Sequence, residues 1–110
     1  IDEQGVFKVT MNESLAVALL TNLLKNAFVH NIDGGHIRIT VTKNGITFRN
    51  SGVEHPLNKE HIFERFYQGS KKEGSTGLGL AIADSICRLQ HLNIKYYFEQ
   101  NEHCFEISQS

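Results

Sequence analysis

The sequence contains no tryptophan, one proline and two cysteines in 110 residues, and it has no long hydrophobic run. Cys87 and Cys104 lie far apart, and neither belongs to a Cys-x-x-Cys pair, so we predict two buried thiols in a reducing compartment and no disulfide. No apolar stretch reaches the roughly 18 residues that a membrane span requires, so no direct membrane contact is expected. The polar residues 1–4 are not a signal peptide and are typical of a chain cut from a longer protein.

Neither sign of charge is in excess, because 11 basic and 12 acidic residues leave a net charge of −1. A nucleic-acid-binding domain needs a basic face that releases counterions, so no nucleic-acid partner is expected. With 40% hydrophobic residues, the chain is predicted to be a single domain over residues 1–110. A domain of this length buries one layer of helices against one sheet.

Period-two alternation of apolar and polar residues predicts several short strands. The pair Asn44 and Gly45 predicts a hairpin turn before one of them. The predicted strands cover residues 5–10, 36–42, 46–49, 93–99 and 103–108.

Two long helices and a short one are predicted between these strands. Thr10 as cap and Glu13 three residues later form a capping box, and neither Gly nor Pro interrupts the pattern up to about residue 31. The second long helix is predicted over residues 77–90 and the short one over residues 58–67. Since strands outnumber helices and hairpin-like connections dominate, the predicted fold is an α+β two-layer sandwich. Its sheet is mixed and mostly antiparallel, with helices on one face.

The first long helix carries a stripe of polar side chains. Asn22, Asn26 and His30 are spaced one turn apart and fall within about 80° around the helix axis. Asparagine is unfavourable inside a helix because its side chain competes for the backbone, so the stripe indicates a function, with a solvated face as the alternative. Beside the stripe, the apolar face expected to pack comprises Ala16, Leu20, Leu23, Leu24 and Ala27.

Glycines at positions 74, 77 and 79 precede the second long helix. A glycine-rich approach to a helix start exposes backbone N–H groups to phosphate, and the helix dipole favours the negative charge. The segment is not a Walker-type phosphate loop, because no Gly-Lys-Ser/Thr follows. It does not follow a strand either, as a dinucleotide-binding turn would. The polar residues 68–76 before it are typical of a lid.

Three segments together resemble the histidine-kinase branch of the ATPase and kinase family that includes gyrase, certain chaperones and mismatch-repair proteins. Residues 22–27 (Asn-Leu-Leu-Lys-Asn-Ala) are similar to its N box, residues 62–67 (Ile-Phe-Glu-Arg-Phe-Tyr) to its F box, and residues 74–80 (Gly-Ser-Thr-Gly-Leu-Gly-Leu) to its G2 box. The resemblance extends from about residue 7 to residue 107. It implies a Bergerat-type ATP-binding sandwich, ATP and Mg²⁺ as cofactors, and an ATP lid at about residues 53–76.

The resemblance also implies roles for single residues. Asn26 matches the asparagine that coordinates the Mg²⁺ bridging the phosphates, a task that suits a neutral amide oxygen. Asn22 matches the second polar position of the N box, and His30 matches a position that approaches the phosphates. The residues expected to cradle the triphosphate are Gly74, Thr76, Gly77, Leu78 and Gly79.

Further residues lie in or beside the implied lid. Arg65 is expected to meet the γ-phosphate when the lid closes. Phe63 and Phe66 are expected to anchor the lid on the body of the domain. For Lys71 and Lys72 a solvated charge run is the preferred interpretation.

The chain departs from the family at the G1 box, which normally reads Asp-x-Gly-x-Gly with the Asp accepting the adenine amino group. Here Asn50 replaces the Asp, Gly52 keeps the first glycine, and Glu54 replaces the second. An asparagine carbonyl still accepts that hydrogen bond, but as a neutral group it accepts less strongly. Asn50 and Gly52 are therefore the expected adenine-side residues, with a lowered affinity for ATP.

In the hydrolytic branch of the family, a glutamate that activates water stands at the position of Asn22. An amide has no basic oxygen for this task, so phosphoryl transfer to a histidine is expected instead of hydrolysis. None of the six histidines has the sequence context of the family's phosphoacceptor. The phosphoacceptor is expected upstream in a separate helical domain. The fragment alone is expected to be a monomer that binds ATP without autophosphorylation.

The resemblance thus implies the cytoplasmic catalytic domain of a two-component sensor histidine kinase. Its partners would be its own phosphoacceptor histidine domain and a downstream response regulator. Two alternatives stay open. The altered G1 box allows a degenerate nucleotide-sensing or scaffolding domain, and an anti-sigma-type serine kinase shares the N and G boxes, although the F box favours the histidine kinases.

Overall fold

The computed structural model describes residues 2–31, 34–54, 56–57, 59–64 and 78–109. This part of the chain forms two helices and five strands. In chain order they are β1 (Asp2–Glu3), α1 (Glu13–Val29), β2 (Ile37–Thr42), β3 (Gly45–Asn50), α2 (Gly79–Leu89), β4 (Leu92–Glu99) and β5 (Glu102–Gln109).

The five strands form one sheet in the order β1-β2-β3-β5-β4. Strand β1 pairs parallel to β2, whereas the other three pairs are antiparallel. The two helices pack on each other and on the sheet, α1 against β3 and α2 against β4. This arrangement confirms the predicted α+β sandwich with a mixed, mostly antiparallel sheet.

The hydrophobic core lies between the helices and one face of the sheet. It includes Leu19, Leu23, Phe48, Ala83, Ile86, Tyr96, Phe105 and Ile107. Because successive side chains of a strand point to opposite faces, the other face of the sheet is separate from this core. That face is polar and carries Arg38, Thr40, Thr47, Arg49, Glu102 and Glu106. Both helices therefore cover the same face, as predicted.

The prediction of a strand over residues 5–10 is wrong, because these residues form none. The first strand is β1, and the backbone N–H of Gln4 still donates to Val41 at 2.7 Å. Since β1 runs parallel to β2 and β2 ends at Thr42, the following residues pass beyond the end of their partner strand. They have no further ladder to join, whatever their β propensity.

The first helix begins two residues later than the predicted cap. Asn12, not Thr10, is the N-cap, and its side-chain oxygen accepts a hydrogen bond from the backbone N–H of Ser14 at 2.8 Å. Asparagine is at least as good an N-cap as threonine, so the local chemistry allows either site and the packing of the helix selects one. The helix ends at Val29 with His30 as its C-cap.

The predicted packing face of α1 is partly wrong. Leu23 and Ala27 are buried as expected, and Leu19 is buried with them. Leu20 and Leu24 instead stay 41% and 36% exposed. The helix contacts α2 and β3 through the narrower arc that contains Leu19, Leu23 and Ala27, so the two other leucines lie outside the contact.

The hairpin between β2 and β3 turns at Lys43 and Asn44, and Gly45 is already the first residue of β3, paired with Thr42. A side chain at Gly45 would collide with the backbone carbonyl of Ile107 on β5. The glycine is thus required by the approach of the neighbouring strand and not by the turn itself.

Of the short helix predicted over residues 58–67, residues 59–64 form turns and the rest lies outside the described residues. Helix α2 begins at Gly79 instead of residue 77, which is not described. In the described part of the chain, no helix has the length and hydrophobicity needed to cross a membrane.

Candidate functional site

The polar stripe of α1 begins at Asn22, which lies against the first residue of α2. The Asn22 amide donates from Nδ2 to the backbone carbonyl of Ala18 at 2.7 Å. A Cβ on Gly79 would lie 3.3 Å from Asn22 Oδ1, so the amide oxygen faces the start of α2. The N-box helix and the G2-box helix therefore meet at these two residues, although 57 positions separate them in the sequence.

The stripe ends at His30, next to the loop that follows β3. A Cβ on Gly52 would lie 2.9 Å from the backbone carbonyl oxygen of His30. From Asn22 to His30 the helix rises roughly 12 Å, and Asn26 lies half-buried midway between them. One face of α1 thus runs from the start of α2 to the G1-box loop, which brings together Asn22, Asn26, His30, Gly52 and Gly79.

Asn50 is the last residue of β3 and only 2% exposed. Its side-chain Nδ2 donates to the backbone carbonyl of Ser51 at 2.7 Å. Among the described residues, its Oδ1 is buried without a hydrogen-bond partner. An unsatisfied buried acceptor costs about 1 to 3 kcal/mol, so this oxygen is suited to receive a donor from a bound molecule.

A small hydrogen-bond network ties the end of α1 to the end of β3. The Ser51 hydroxyl donates to Oδ1 of Asn31 and accepts from the backbone N–H of His36 at 2.8 Å. Nδ2 of Asn31 donates to the backbone carbonyl of His36 at 3.1 Å. These bonds fix the position of Asn50 relative to the polar stripe.

The donor set in this region fits a hard divalent cation that binds through few protein ligands. No group of three or more His, Cys, Asp or Glu side chains positioned to hold a metal occurs among the described residues. A neutral amide oxygen such as that of Asn26 suits Mg²⁺, which completes its octahedron with phosphate and water oxygens. The role of Asn26 as metal ligand stays a prediction.

Several predicted site residues lie outside the described residues. They are Arg65, Phe66, Lys71, Lys72, Gly74, Thr76 and Gly77, together with most of the lid expected at about residues 53–76. Leu78 is described and precedes α2 as its N-cap, without a side-chain capping bond. Phe63 packs its ring edge-on against Phe105, with centroids 6.3 Å apart, and its role as an anchor of the lid stays a prediction.

The sequence motifs did not identify two functional candidates that lie next to the site. Tyr96 and His103 lie 5% and 3% exposed in the core, and His103 pairs with Asn50 in the sheet. The strand pattern offered a signal, because His103 shares the inward face of β5 with Phe105 and Ile107. A histidine on an apolar strand face needs partners for both ring nitrogens.

A concave region of about 480 Å³ lies on the opposite, polar face of the sheet. It contains none of the predicted site residues. Two of its charged side chains, Glu102 and Arg38, pair with each other at 2.7 Å. We therefore place the candidate site along α1 and not on this face.

The chain matches the family model described as histidine kinase-, DNA gyrase B- and HSP90-like ATPase over residues 11–108. It is 44% identical over 84 residues to the sensor histidine kinase RppB of Synechocystis sp., covering 68% of this chain and 18% of that protein. It is 40% identical over 90 residues to the heme sensor protein HssS of Staphylococcus aureus, covering 77% of this chain and 20% of that protein. The chain thus spans about a fifth of the length of these curated relatives.

Solved structures agree with these relatives. The catalytic domain of histidine kinase ThkA has a TM-score of 0.82 and 26% sequence identity, covering 96% of this chain and 73% of that chain. The cytoplasmic segment of histidine kinase QseC, at 21% identity and a TM-score of 0.72, shares the fold over 99% of this chain and 55% of its own. The chain therefore belongs to the family of histidine kinase-, DNA gyrase B- and HSP90-like ATPases, as an ATP-binding catalytic domain of the histidine kinase type.

Proposed function

We propose that the chain binds Mg²⁺–ATP along the polar stripe of α1 and, in its parent protein, positions the γ-phosphoryl group for transfer to a histidine of a separate domain. The proposal depends most on Asn50. Its buried Oδ1 has no partner among the described residues, and an adenine amino group would supply the missing donor. Discrimination at such a site is strong, because a ligand without the donor leaves the acceptor unpaired.

The phosphates would extend from the Asn50 end of the stripe toward Gly79. At that end the first turn of α2 offers unpaired backbone N–H groups and the positive end of its dipole. Asn26, midway along the stripe, would hold Mg²⁺ through its amide oxygen. When bound, Mg²⁺ neutralises phosphate charge.

The stripe favours transfer over hydrolysis. The Asn22 amide is neutral, and its Nδ2 is held by the Ala18 carbonyl, so it cannot take a proton from water. A neutral imidazole from another domain is already a nucleophile and needs no base of this kind. The task of the domain is then to orient ATP and keep its phosphates in line for transfer.

The partners proposed for the parent protein are a phosphoacceptor histidine domain and a response regulator, with this domain in the cytoplasm. The relatives named above support this proposal, since they include a sensor histidine kinase. The isolated chain is proposed to be a monomer that does not phosphorylate itself.

Calorimetric titration with ATP and with GTP, each with and without Mg²⁺, tests the site. The variants are Asn26→Ala and Asn50→Ala, with Asn93→Ala on the exposed side of β4 as a matched control. We expect Mg²⁺-dependent binding of ATP that falls by about tenfold or more in the two site variants and is unchanged in the control. Absence of binding at millimolar ATP would refute the proposal.

A degenerate nucleotide sensor is the second candidate, favoured by the neutral Asn50 in place of the usual carboxylate. Both candidates bind ATP, so binding does not separate them. The two candidates are separated by measuring phosphohistidine formation in the full-length parent and in its Asn26→Ala variant. A parent that binds Mg²⁺–ATP and forms no phosphohistidine is a sensor.

A further inference from the structure

A chain of three hydrogen bonds connects β4 and β5 to Val53 within the G1 box and to Leu57 after it. The backbone N–H of Leu57 donates to the Tyr96 hydroxyl at 2.9 Å. The Tyr96 hydroxyl lies 2.7 Å from Nδ1 of His103, and Nε2 of His103 lies 2.7 Å from the backbone carbonyl oxygen of Val53. The two side chains thus hold the backbone at two points, Val53 and Leu57.

The chemistry of the end groups fixes the direction of these bonds. A backbone carbonyl only accepts, so His103 donates from Nε2 to Val53. In a neutral imidazole Nδ1 is then the acceptor, and Tyr96 donates to it. The same hydroxyl oxygen accepts from Leu57, whose N–H only donates. Of the two neutral tautomers of His103, the geometry therefore selects Nε2–H.

Ring contacts hold Tyr96 and His103 in place. The rings of Tyr96 and His103 stack with centroids 5.9 Å apart and an interplanar angle of 23°. Phe98 packs on His103 at a centroid distance of 4.8 Å. Buried hydrogen bonds in such apolar surroundings are stronger than at a surface, and leaving one unmade is costly.

The Tyr96–His103 pair also contacts the candidate site, through His103. His103 is the register partner of Asn50 in the sheet. A Cβ on Gly52 would lie 3.0 Å from Cδ2 of the His103 ring, so the imidazole supports the loop at the glycine itself. A shift of His103 therefore displaces the loop between Asn50 and Val53.

We propose that His103 and Tyr96 are positioning residues for the nucleotide: they hold the backbone at Val53 and at Leu57 so that the G1-box loop keeps the shape that binds adenine. They act through Asn50 and Gly52 and do not contact ATP. This inference rests on the proposed ATP-binding function.

Three variants separate the hydrogen bonds from simple packing. Tyr96→Phe removes the hydroxyl and keeps the ring. His103→Leu removes both ring nitrogens, whereas His103→Gln places an amide NH₂ where Nε2–H donates to Val53. Tyr97→Phe is the matched control, because its hydroxyl lies on the opposite face at 3.4 Å from Glu106.

We expect Tyr96→Phe and His103→Leu to weaken ATP binding by about tenfold, because each variant loses two of the three hydrogen bonds. His103→Gln is expected to stay within about threefold of the wild type, and Tyr97→Phe to equal it. Two readouts need no nucleotide. The imidazole nitrogen shifts of His103 should show the Nε2–H tautomer, and hydrogen exchange of the Leu57 amide should accelerate in Tyr96→Phe but not in Tyr97→Phe.

The outcomes distinguish this inference from the proposed function. A wild type that binds no ATP, with Leu57 protected and the Nε2–H tautomer present, would refute the proposed function and the positioning role with it. A wild type that binds ATP while Tyr96→Phe and His103→Leu bind equally well would refute the positioning role alone. An Nδ1–H tautomer, or unchanged Leu57 exchange in Tyr96→Phe, would refute the hydrogen-bond chain itself.

Discussion

The side-chain oxygen of Asn22 lies 3.3 Å from the point that a Cβ on Gly79 would occupy. This distance is shorter than ordinary van der Waals contact, so the first turn of α2 approaches the N-box helix as closely as a glycine allows. Gly79 has no left-handed backbone conformation that would require a glycine. Asn22 therefore leaves little room for a side chain at this position.

Gly79→Ala is expected to leave stability nearly unchanged but to weaken ATP binding. Alanine favours the helix by about 1 kcal/mol, which offsets the crowding at Asn22. The Asn22 amide must move by a few tenths of an ångström, however, and the moved amide disturbs the phosphate end of the site. Thermal unfolding and calorimetric ATP affinity would measure both effects.

The double variant Asn22→Ala with Gly79→Ala is the control for this contact. It removes the crowded amide, so the two substitutions should be coupled in a double-mutant cycle for stability, with an interaction energy of about 0.5 kcal/mol or more. Additive effects would mean that the two residues do not press on each other.

Local patterns predicted the elements well and their tertiary environment poorly. Period-two alternation placed four of the five strands. β1 was missed because a strand of two residues has no period of its own and depends on its pairing with β2, which ends at Thr42 and leaves residues 5–10 without a partner. The N-cap moved from Thr10 to Asn12, since both residues have capping chemistry and packing decides between them. The family motifs pointed to Asn22, Asn50 and Gly79 as site residues.

The partners of His103 and Tyr96 were out of reach of sequence reasoning, although the strand pattern of β5 placed His103 on the inward face. The bond from His103 to Val53 spans 50 positions and the bond from Leu57 to Tyr96 spans 39. No local period encodes contacts of that separation. The same holds for the unsatisfied oxygen of Asn50, because it depends on which groups the neighbouring strands bring near.

Asn50→Asp is expected to destabilise the free chain at neutral pH and to increase its response to ATP. Aspartate would place an oxygen where Nδ2 now donates to the Ser51 carbonyl at 2.7 Å, and it would bury a charge. Together these effects should lower stability by about 2 kcal/mol. A charged acceptor binds the adenine amino group more strongly, so ATP should raise the melting temperature more than in the wild type. An ATP-induced shift no larger than that of the wild type would contradict the adenine role.

Glu102→Gln is expected to lower stability at neutral pH and to have little effect in acid. The hydrogen bond from Arg38 lowers the pKa of Glu102, and a bond from His36 adds to this, while burial opposes it. A carboxylate with a lowered folded-state pKa stabilises the fold above its unfolded-state pKa, and this contribution is lost as the pH falls through the folded-state pKa. Because Arg38 and His36 are each 56% exposed, the loss at pH 7 should be only about 1 kcal/mol.

Urea unfolding at pH 7 and at pH 3 measures this difference. The exposed Glu3, on the edge strand β1, serves as a control through Glu3→Gln, which should change stability little at either pH. If Glu102→Gln lowers the free energy of unfolding equally at both pH values, the shape of the Glu102 side chain and not its charge stabilises the fold.

Both cysteines are expected to resist thiol reagents while the domain is folded. Burial, with a smaller contribution from Asp84, raises the pKa of Cys87 to about 11. Burial also raises the pKa of Cys104, and both thiols are 0% exposed. At pH 8 only about one Cys87 in a thousand would be a thiolate, which is the reactive form. Labelling with a disulfide reagent should therefore be slow in buffer and rapid for both thiols in concentrated urea.

If the thiols react only in the unfolded chain, a ligand that binds only the folded chain slows their labelling. The rate should fall by the same factor by which the ligand raises the folding equilibrium constant. ATP with Mg²⁺ at a hundred times its dissociation constant should slow labelling by about a hundredfold when reclosing is faster than labelling. Asn26→Ala should reduce this protection to about tenfold or less at the same ATP concentration, without changing the rate in buffer alone by more than its own effect on stability. Rapid labelling of Cys87 in the folded, ATP-free domain would instead show that α2 opens locally, and labelling would then report on that opening and not on the whole fold.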